Sequence, residues 1–246
     1  MTEVFSELYY QGFESLQSNS DEKQVYIATL TNYLGRFGVQ SLLDIGAGNG
    51  EVAIPISEQV DEYVAVEQSP EYSARIRDAG RKVVEGLFPT HVEGKFDMVL
   101  MSHVISHITG NYQSLIPPAW NLVKPEGHLV VVTHRGTEAD DWSKLLESID
   151  LGYSERSTNR LNELLAELSG YGQTDIEYVT TNLRTPDIQQ MLKAMAFLAA
   201  SGGKAQFDRF MAKSNTVSHL LRSNFRTEEG YSFPFIHPFI RTKKEP

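Results

Sequence analysis

Residues 41–51 read SLLDIGAGNGE, an apolar run that passes directly into a turn with Gly46, Gly48 and Gly50. Of all features in the chain this one restricts the fold most. An apolar run with no polar alternation is a strand covered on both faces, and both-face cover requires helices on each side of a parallel sheet. Glycines straight after such a strand let the backbone turn sharply and let a ligand approach with no Cβ in the way.

The stretches that follow keep the same pattern. EYVAVE, KVVEG, FDMVLMS and HLVVVTH are further strand candidates between residues 62 and 134, and stretches of helical period fill the gaps. Helices are expected over 51–59, shortened or kinked by Pro55, over 70–78 with Pro70 in the first turn, and over 112–123. Further on, 140–149, 158–168 and 187–200 read as helices, 174–181 as a sixth strand, and 205–225 as one or two helices. Residues 231–242 form a last strand whose Pro234 and Pro238 suit a strand near a sheet edge or with a bulge. Two helical segments, 5–18 and 22–37, precede the sheet, the second packed on it.

The turn also selects its ligand. A dinucleotide fingerprint, G-x-G-x-x-G, would put its third glycine at position 51, where this chain has Glu51, so an NAD-dependent oxidoreductase is disfavoured. Asp44 stands two residues before Gly46, where a carboxylate would repel a pyrophosphate but would suit the ammonium of an aminocarboxylate. Glu67 closes VAVE, in position to accept hydrogen bonds from both hydroxyls of a ribose.

Composition narrows the partners. The net charge is −10, from 22 Lys+Arg and 32 Asp+Glu; such a field repels nucleic acid and favours small neutral or cationic substrates. Residues 1–184 carry 13 basic and 27 acidic side chains, residues 185–246 carry 9 and 5, so the last quarter is a compositional segment of its own. There is no Cys, which rules out a disulfide framework or a thiolate zinc cluster and points to the cytoplasm. No metal-ligand set is read. The first residues carry acids where a secretory leader needs a basic start, and no apolar run reaches membrane-spanning length. Oligomeric state is not readable.

The motif D-x-G-x-G-x-G, followed by a strand ending in an acid, resembles the first motifs of class I S-adenosylmethionine-dependent methyltransferases. KFDMVLMS at 95–102 resembles that family's fourth-strand motif and LVKPEGHLV at 122–130 its turn into the fifth strand. The resemblance spans residues 40–134. It implies an α/β, Rossmann-like seven-stranded sheet, six strands parallel and the last antiparallel, flanked by helices, with S-adenosyl-L-methionine above the strand ends. In domain terms it implies one methyltransferase domain over 1–246: an N-terminal helical lid (1–38), a cofactor-binding core (39–184), a helical substrate insertion (185–228) and the last strand (229–246). The implied cofactor residues are Asp44, Gly46, Ala47, Gly48, Gly50, Glu67, Gln68 beside the adenine, and Ser102, His103 and His107 after the fourth strand. Many members carry Gly-Asp after the third strand. Here Gly86 is followed by Leu87, which leaves backbone groups of Leu87 and Phe88 to meet the adenine amino group.

For the acceptor, His103 and His134 are the candidate catalytic bases at the strand ends. The N-terminus, with Tyr9, Phe13 and Glu22, resembles that of histamine N-methyltransferase-like small-molecule methyltransferases, as does THRGTEADDW at 133–142 ending in Trp142. The resemblance implies that Tyr9, Phe13, Glu22, His134, Trp142 and His237 line an acceptor site for an amine or other heteroatom nucleophile. The amide expected in that family's last strand has no match; His237 stands nearest. Tyr9 and Phe13, four apart on a helix, equally suit a lid docked on the core, and Glu22 suits a helix start. A non-catalytic S-adenosylmethionine-binding module is the alternative reading.

Overall fold

The computed structural model describes residues 3–105, 111–133, 140–151, 155–200 and 203–246, with backbone alone for 3–9 and 155–159. Ten helices and eight strands follow one another among them: α1 (Glu3–Asn19), α2 (Glu22–Arg36), β1 (Ser41–Ile45), α3 (Ala53–Ser57), β2 (Glu62–Glu67), α4 (Pro70–Asp78), β3 (Lys82–Glu85), β4 (Phe96–Ser102), α5 (Ile116–Asn121), β5 (Val123–Val132), α6 (Asp141–Ser148), α7 (Glu155–Ser169), β6 (Gln173–Thr185), α8 (Ile188–Ala199), α9 (Lys204–Ala212), α10 (Ser214–Asn224), β7 (Arg226–Thr227) and β8 (Gly230–Lys243). The sheet runs β3-β2-β1-β4-β5-β8-β6, and the two-residue β7 pairs with β8. β1 to β5 pair in parallel, and β8 lies antiparallel to β5. This is the mixed α/β architecture expected of the strand and glycine pattern, with β7 as an addition.

The chain forms two compact units. One comprises Lys23–Arg135, Arg160–Val179 and His237–Pro246. Its sheet is covered on both faces. On one, Leu43, Ile45, Val99, Met101, Leu129 and Val131 meet Leu161, Leu164 and Leu168 of α7 and Ile116 and Ala119 of α5. On the other, Leu42, Met98, Leu100, Val130 and Val132 meet Tyr26, Leu30, Tyr33 and Leu34 of α2. A fully buried aliphatic side chain contributes about 1.5–3 kcal/mol, so these layers set the strand ends firmly.

The other unit comprises Met1–Glu22, Gly136–Asn159 and Thr180–Ile236. Here α1 packs along α8, and the approach is close because Gly12 has no side chain: a Cβ there would sit 2.6 Å from the Lys193 carbonyl oxygen. Its core is aromatic, with Trp142, Phe207, Phe210 and Phe233 buried beside Met191, Met195 and Leu221. None of the described helices is long and apolar enough to cross a membrane.

Local chemistry explains most element boundaries. Ser69 caps α4 by accepting the Tyr72 N–H, with Pro70 behind it in the first turn; Asp140 and Asp187 cap α6 and α8 in the same way. Pro55 leaves α3 only five residues long. One expectation needs correcting. VKPEG is not a turn before the fifth strand but part of β5, where the register jumps from Phe96 opposite Val123 to Met98 opposite His128 and Glu126 takes a positive φ of 63°: a bulge absorbs the residues a turn would have used. The last strand lies near the sheet edge, between β5 and the edge strand β6. Its prolines are tolerated because β8 pairs with β5 only from Phe239 to Lys243, beyond both Pro234 and Pro238.

At the start of the strands Asp97 ties three of them together. Its carboxylate accepts the Gln40 and Ser41 N–H groups at 3.1 and 2.8 Å and the Ser41 hydroxyl at 2.8 Å, and pairs with Lys124 at 3.1 Å. Partial burial raises its pKa, but the bonds from Ser41, Lys124 and Gln40 outweigh that and hold it below the ordinary value. A lowered folded-state pKa stabilises above the unfolded value and is lost as pH falls through the folded one. Asp97→Asn is therefore expected to destabilise the fold by about 1–3 kcal/mol at pH 7, the deficit shrinking below about pH 4; thermal melts at the two pH values check this.

Candidate functional site

The glycine turn closes the end of β1 as the sequence requires. Gly46, Gly48 and Gly50 all have positive φ, 76°, 61° and 87°, a region that side chains with a Cβ rarely adopt. A Cβ on Gly46 would stand 2.6 Å from Val104 Cγ2, whereas one on Gly48 would meet nothing within 4 Å. The turn is thus packed at its first glycine and open at its second. Beside it lies a pocket of about 120 Å³ lined by Asp44, Gly46, Ala47, Leu100, Ser102 and, from α2, Lys23. Lys23 forms an ion pair with Glu51, which lines the same pocket.

Asp44 is 3 % exposed, and its Oδ2 accepts the Tyr63 hydroxyl at 3.0 Å. Burial, helped by the charge of Glu67 and opposed by the Tyr63 bond, raises its pKa to about 7. Glu67 is held differently. Its Oε2 accepts the Gly48 N–H at 2.8 Å and its Oε1 the Ser69 N–H at 2.7 Å, so one carboxylate fixes both the glycine turn and the start of α4. Each oxygen keeps capacity for another donor. Farther along, Gln68 is exposed and Leu87 is 72 % exposed, while the Phe88 side chain is in the core at 6 %.

Past Ser102 the chain turns at His103, which has a positive φ of 57°, uncommon for a side chain with a Cβ and typical of functional sites. Its Nε2 lies 2.7 Å from the Tyr26 hydroxyl, and the two rings stack at 5.5 Å with 10° between their planes. His237 stands edge-on to both, 5.2 Å from Tyr26 and 5.7 Å from His103. The structure therefore brings together His103 and His237, which the sequence named separately, through Tyr26, which it did not name. Tyr26 and Tyr63 sit in apolar segments whose local pattern gives no sign of a polar task, and Lys23 reads as an ordinary first-turn residue of a helix.

Glu22 opens α2, its N–H donating to the Ser20 hydroxyl. In the α1–α8 pair the Phe13 ring lies 5.3 Å from that of Phe197. Trp142 is buried at 8 % against Phe210, Phe233 and Phe235. Tyr9 belongs to α1 by its backbone, its side chain being outside the described residues, as are His107 and His134 altogether.

The family of methyltransferase domains matches residues 19–169, more than half of the chain, and the chain belongs to it. Among solved structures, YcgJ from Bacillus subtilis superimposes with a TM-score of 0.60 at 16% identity, over 90% of this chain and 98% of that one. An S-adenosylmethionine-dependent methyltransferase from Geobacter sulfurreducens, in complex with S-adenosyl-L-homocysteine, gives 0.51 at 16% identity over 89% and 90%. In sequence, 119 residues are 28% identical to part of a protein described as the probable non-canonical nonribosomal peptide synthetase CymA of Salinispora arenicola. That match covers 42% of this chain and only 2% of the synthetase. The family match makes the chain a methyltransferase domain, and the solved structures share its fold.

Proposed function

We propose that the protein transfers a methyl group from S-adenosylmethionine, by in-line displacement, to a small molecule with an amine or another heteroatom nucleophile. The observation that carries this reading is the enclosed polar cluster just past the pocket wall: Tyr26 and His237 are each 2 % exposed and converge on His103. Enclosed polar groups suit a small acceptor that is desolvated on binding, and the net charge of −10 disfavours a nucleic acid.

The residues present suit the cofactor. Asp44, buried at the pocket, offers a carboxylate for the ammonium of the methionine end. The open side of Gly48 leaves room for that end to approach Gly46 and Ala47, and Gly50 completes the turn. Glu67 keeps acceptor capacity on both oxygens for the ribose hydroxyls. Gln68 and the Leu87 and Phe88 backbone flank the adenine, and Ser102 and His103 follow β4 toward the methyl. When bound, S-adenosylmethionine supplies an electrophilic methyl on a sulfonium. The chain has to hold the acceptor in line and keep the site dry, which accounts for much of the acceleration of such a displacement. An amine acceptor must also lose a proton before attack; His103 or His134 takes it. His237 supplies an acceptor contact.

The test incubates the protein with methyl-labelled S-adenosylmethionine and a panel of small amines, phenols and carboxylates. Label is expected in an amine or other heteroatom product, and His103→Gln should slow its appearance by about 10²-fold or more. Label found solely in protein or nucleic acid would sink the small-molecule reading, and no transfer to any acceptor would favour a binding module.

A further inference from the structure

Asp44 accounts for one half of an aminocarboxylate, the cationic half. The same pocket carries a counterpart for the other half. Lys23 is the one cationic side chain among the described residues that line it, and it is ion-paired with Glu51, another lining residue. We infer that Lys23 binds the cofactor's carboxylate, and that Glu51 is a built-in competitor which occupies the Lys23 ammonium until the cofactor displaces it. The inference rests on the reading that this pocket receives the methionine end.

Three observations support it. The size is right: the pocket, about 120 Å³, has room for an ammonium, a carboxylate and the carbon joining them. The charges are complementary, with Asp44 offered to the ammonium and Lys23 to the carboxylate. The competing pair is easily opened, because the Lys23 and Glu51 side chains are 32 % and 49 % exposed and ion pairs so near solvent hold weakly. Lys23 is also the second residue of α2, one turn before Tyr26 on the same helix. Capture of the carboxylate by Lys23 would thus bear directly on the helix that carries the Tyr26 contact to His103.

The discriminating probes are S-adenosyl-L-homocysteine and its decarboxylated analogue, which keeps the ammonium and lacks the carboxylate. Binding of each is measured by calorimetry to the full chain and to Lys23→Met, Lys23→Arg, Glu51→Gln and Asp44→Asn proteins. Lys23→Met should weaken S-adenosylhomocysteine tenfold or more and the decarboxylated analogue less than twofold, with Lys23→Arg retaining most of the affinity. Glu51→Gln should tighten S-adenosylhomocysteine severalfold and leave the analogue unchanged. Equal weakening of both ligands by Lys23→Met, or no weakening of S-adenosylhomocysteine, overturns the assignment; weaker binding by Glu51→Gln overturns the competitor role. Asp44→Asn should weaken both ligands, and if it weakens neither, it is the placement of the methionine end in this pocket that fails.

Discussion

Replacing Glu67 with alanine is expected to weaken S-adenosylmethionine binding by about 3 kcal/mol, on the order of 100-fold, and replacing it with glutamine should be nearly as damaging. The reason lies in what Glu67 already does before any ligand arrives. Both of its oxygens accept backbone N–H groups, from Gly48 at 2.8 Å and Ser69 at 2.7 Å. A carboxylate has acceptors at both ends, whereas glutamine has an acceptor at one end and an NH2 donor at the other. Whichever way the amide is turned, its NH2 faces one of those two N–H groups. The clash loosens either the glycine turn or the start of α4 and removes one acceptor from the proposed ribose site. Calorimetric titration with S-adenosylhomocysteine measures the loss, and thermal melts separate it from general destabilisation. A Glu67→Gln protein with unchanged affinity would refute the double-acceptor role.

That argument was half legible in the sequence. An acid at the end of VAVE marks Glu67 as the candidate for a ribose, because a strand ending next to a glycine turn has little freedom in where its last side chain goes. The two backbone donors were not legible, since they depend on how the Gly48 and Ser69 amides are turned. The same division runs through the fold. Strands buried on both faces leave continuous apolar runs, so β1, β2, β4 and the later part of β5 could be read directly, and the start of α4 could be read from Pro70. The start of β5 could not, because KPEG has turn chemistry whether it makes a turn or a bulge. The place of β8 near the edge could be read from Pro234 and Pro238, but not the register that keeps both out of its pairing with β5. In the site, the glycines and Asp44 announce themselves through spacing. Tyr63, Tyr26 and Lys23 do not, because each reaches the site from another segment, and only the register of β2 on β1 and the packing of α2 on the sheet bring them there.

Asp44 gives the second large effect, and it has opposite signs for binding and for stability. In the cofactor-free protein its carboxyl has a pKa of about 7, raised chiefly by burial. The unfolded value is near 3.9, so between those limits the folded chain binds the extra proton, and stability declines as pH rises through 7. Asp44→Asn removes the cost of burying a charge and can still accept the Tyr63 hydroxyl. It should therefore raise the stability of the cofactor-free protein at pH 8 by up to about 4 kcal/mol, with the gain vanishing below pH 4. Cofactor binding should move the other way. An ammonium needs the ionised carboxylate, so the affinity of the wild-type protein should fall below pH 7, approaching tenfold per pH unit, and binding near neutrality should release protons to the buffer. In Asp44→Asn the affinity should be about 10- to 100-fold weaker at pH 7.5 and should lose its dependence on pH below 7. Calorimetry in two buffers of different ionisation enthalpy counts the protons released, and melts of both proteins from pH 4 to 8 read the stability. A wild-type affinity that stays flat from pH 5.5 to 7.5 would separate Asp44 from the ammonium, whereas opposite shifts in stability and affinity on the single change of carboxylate to amide tie the buried charge to the ligand it awaits.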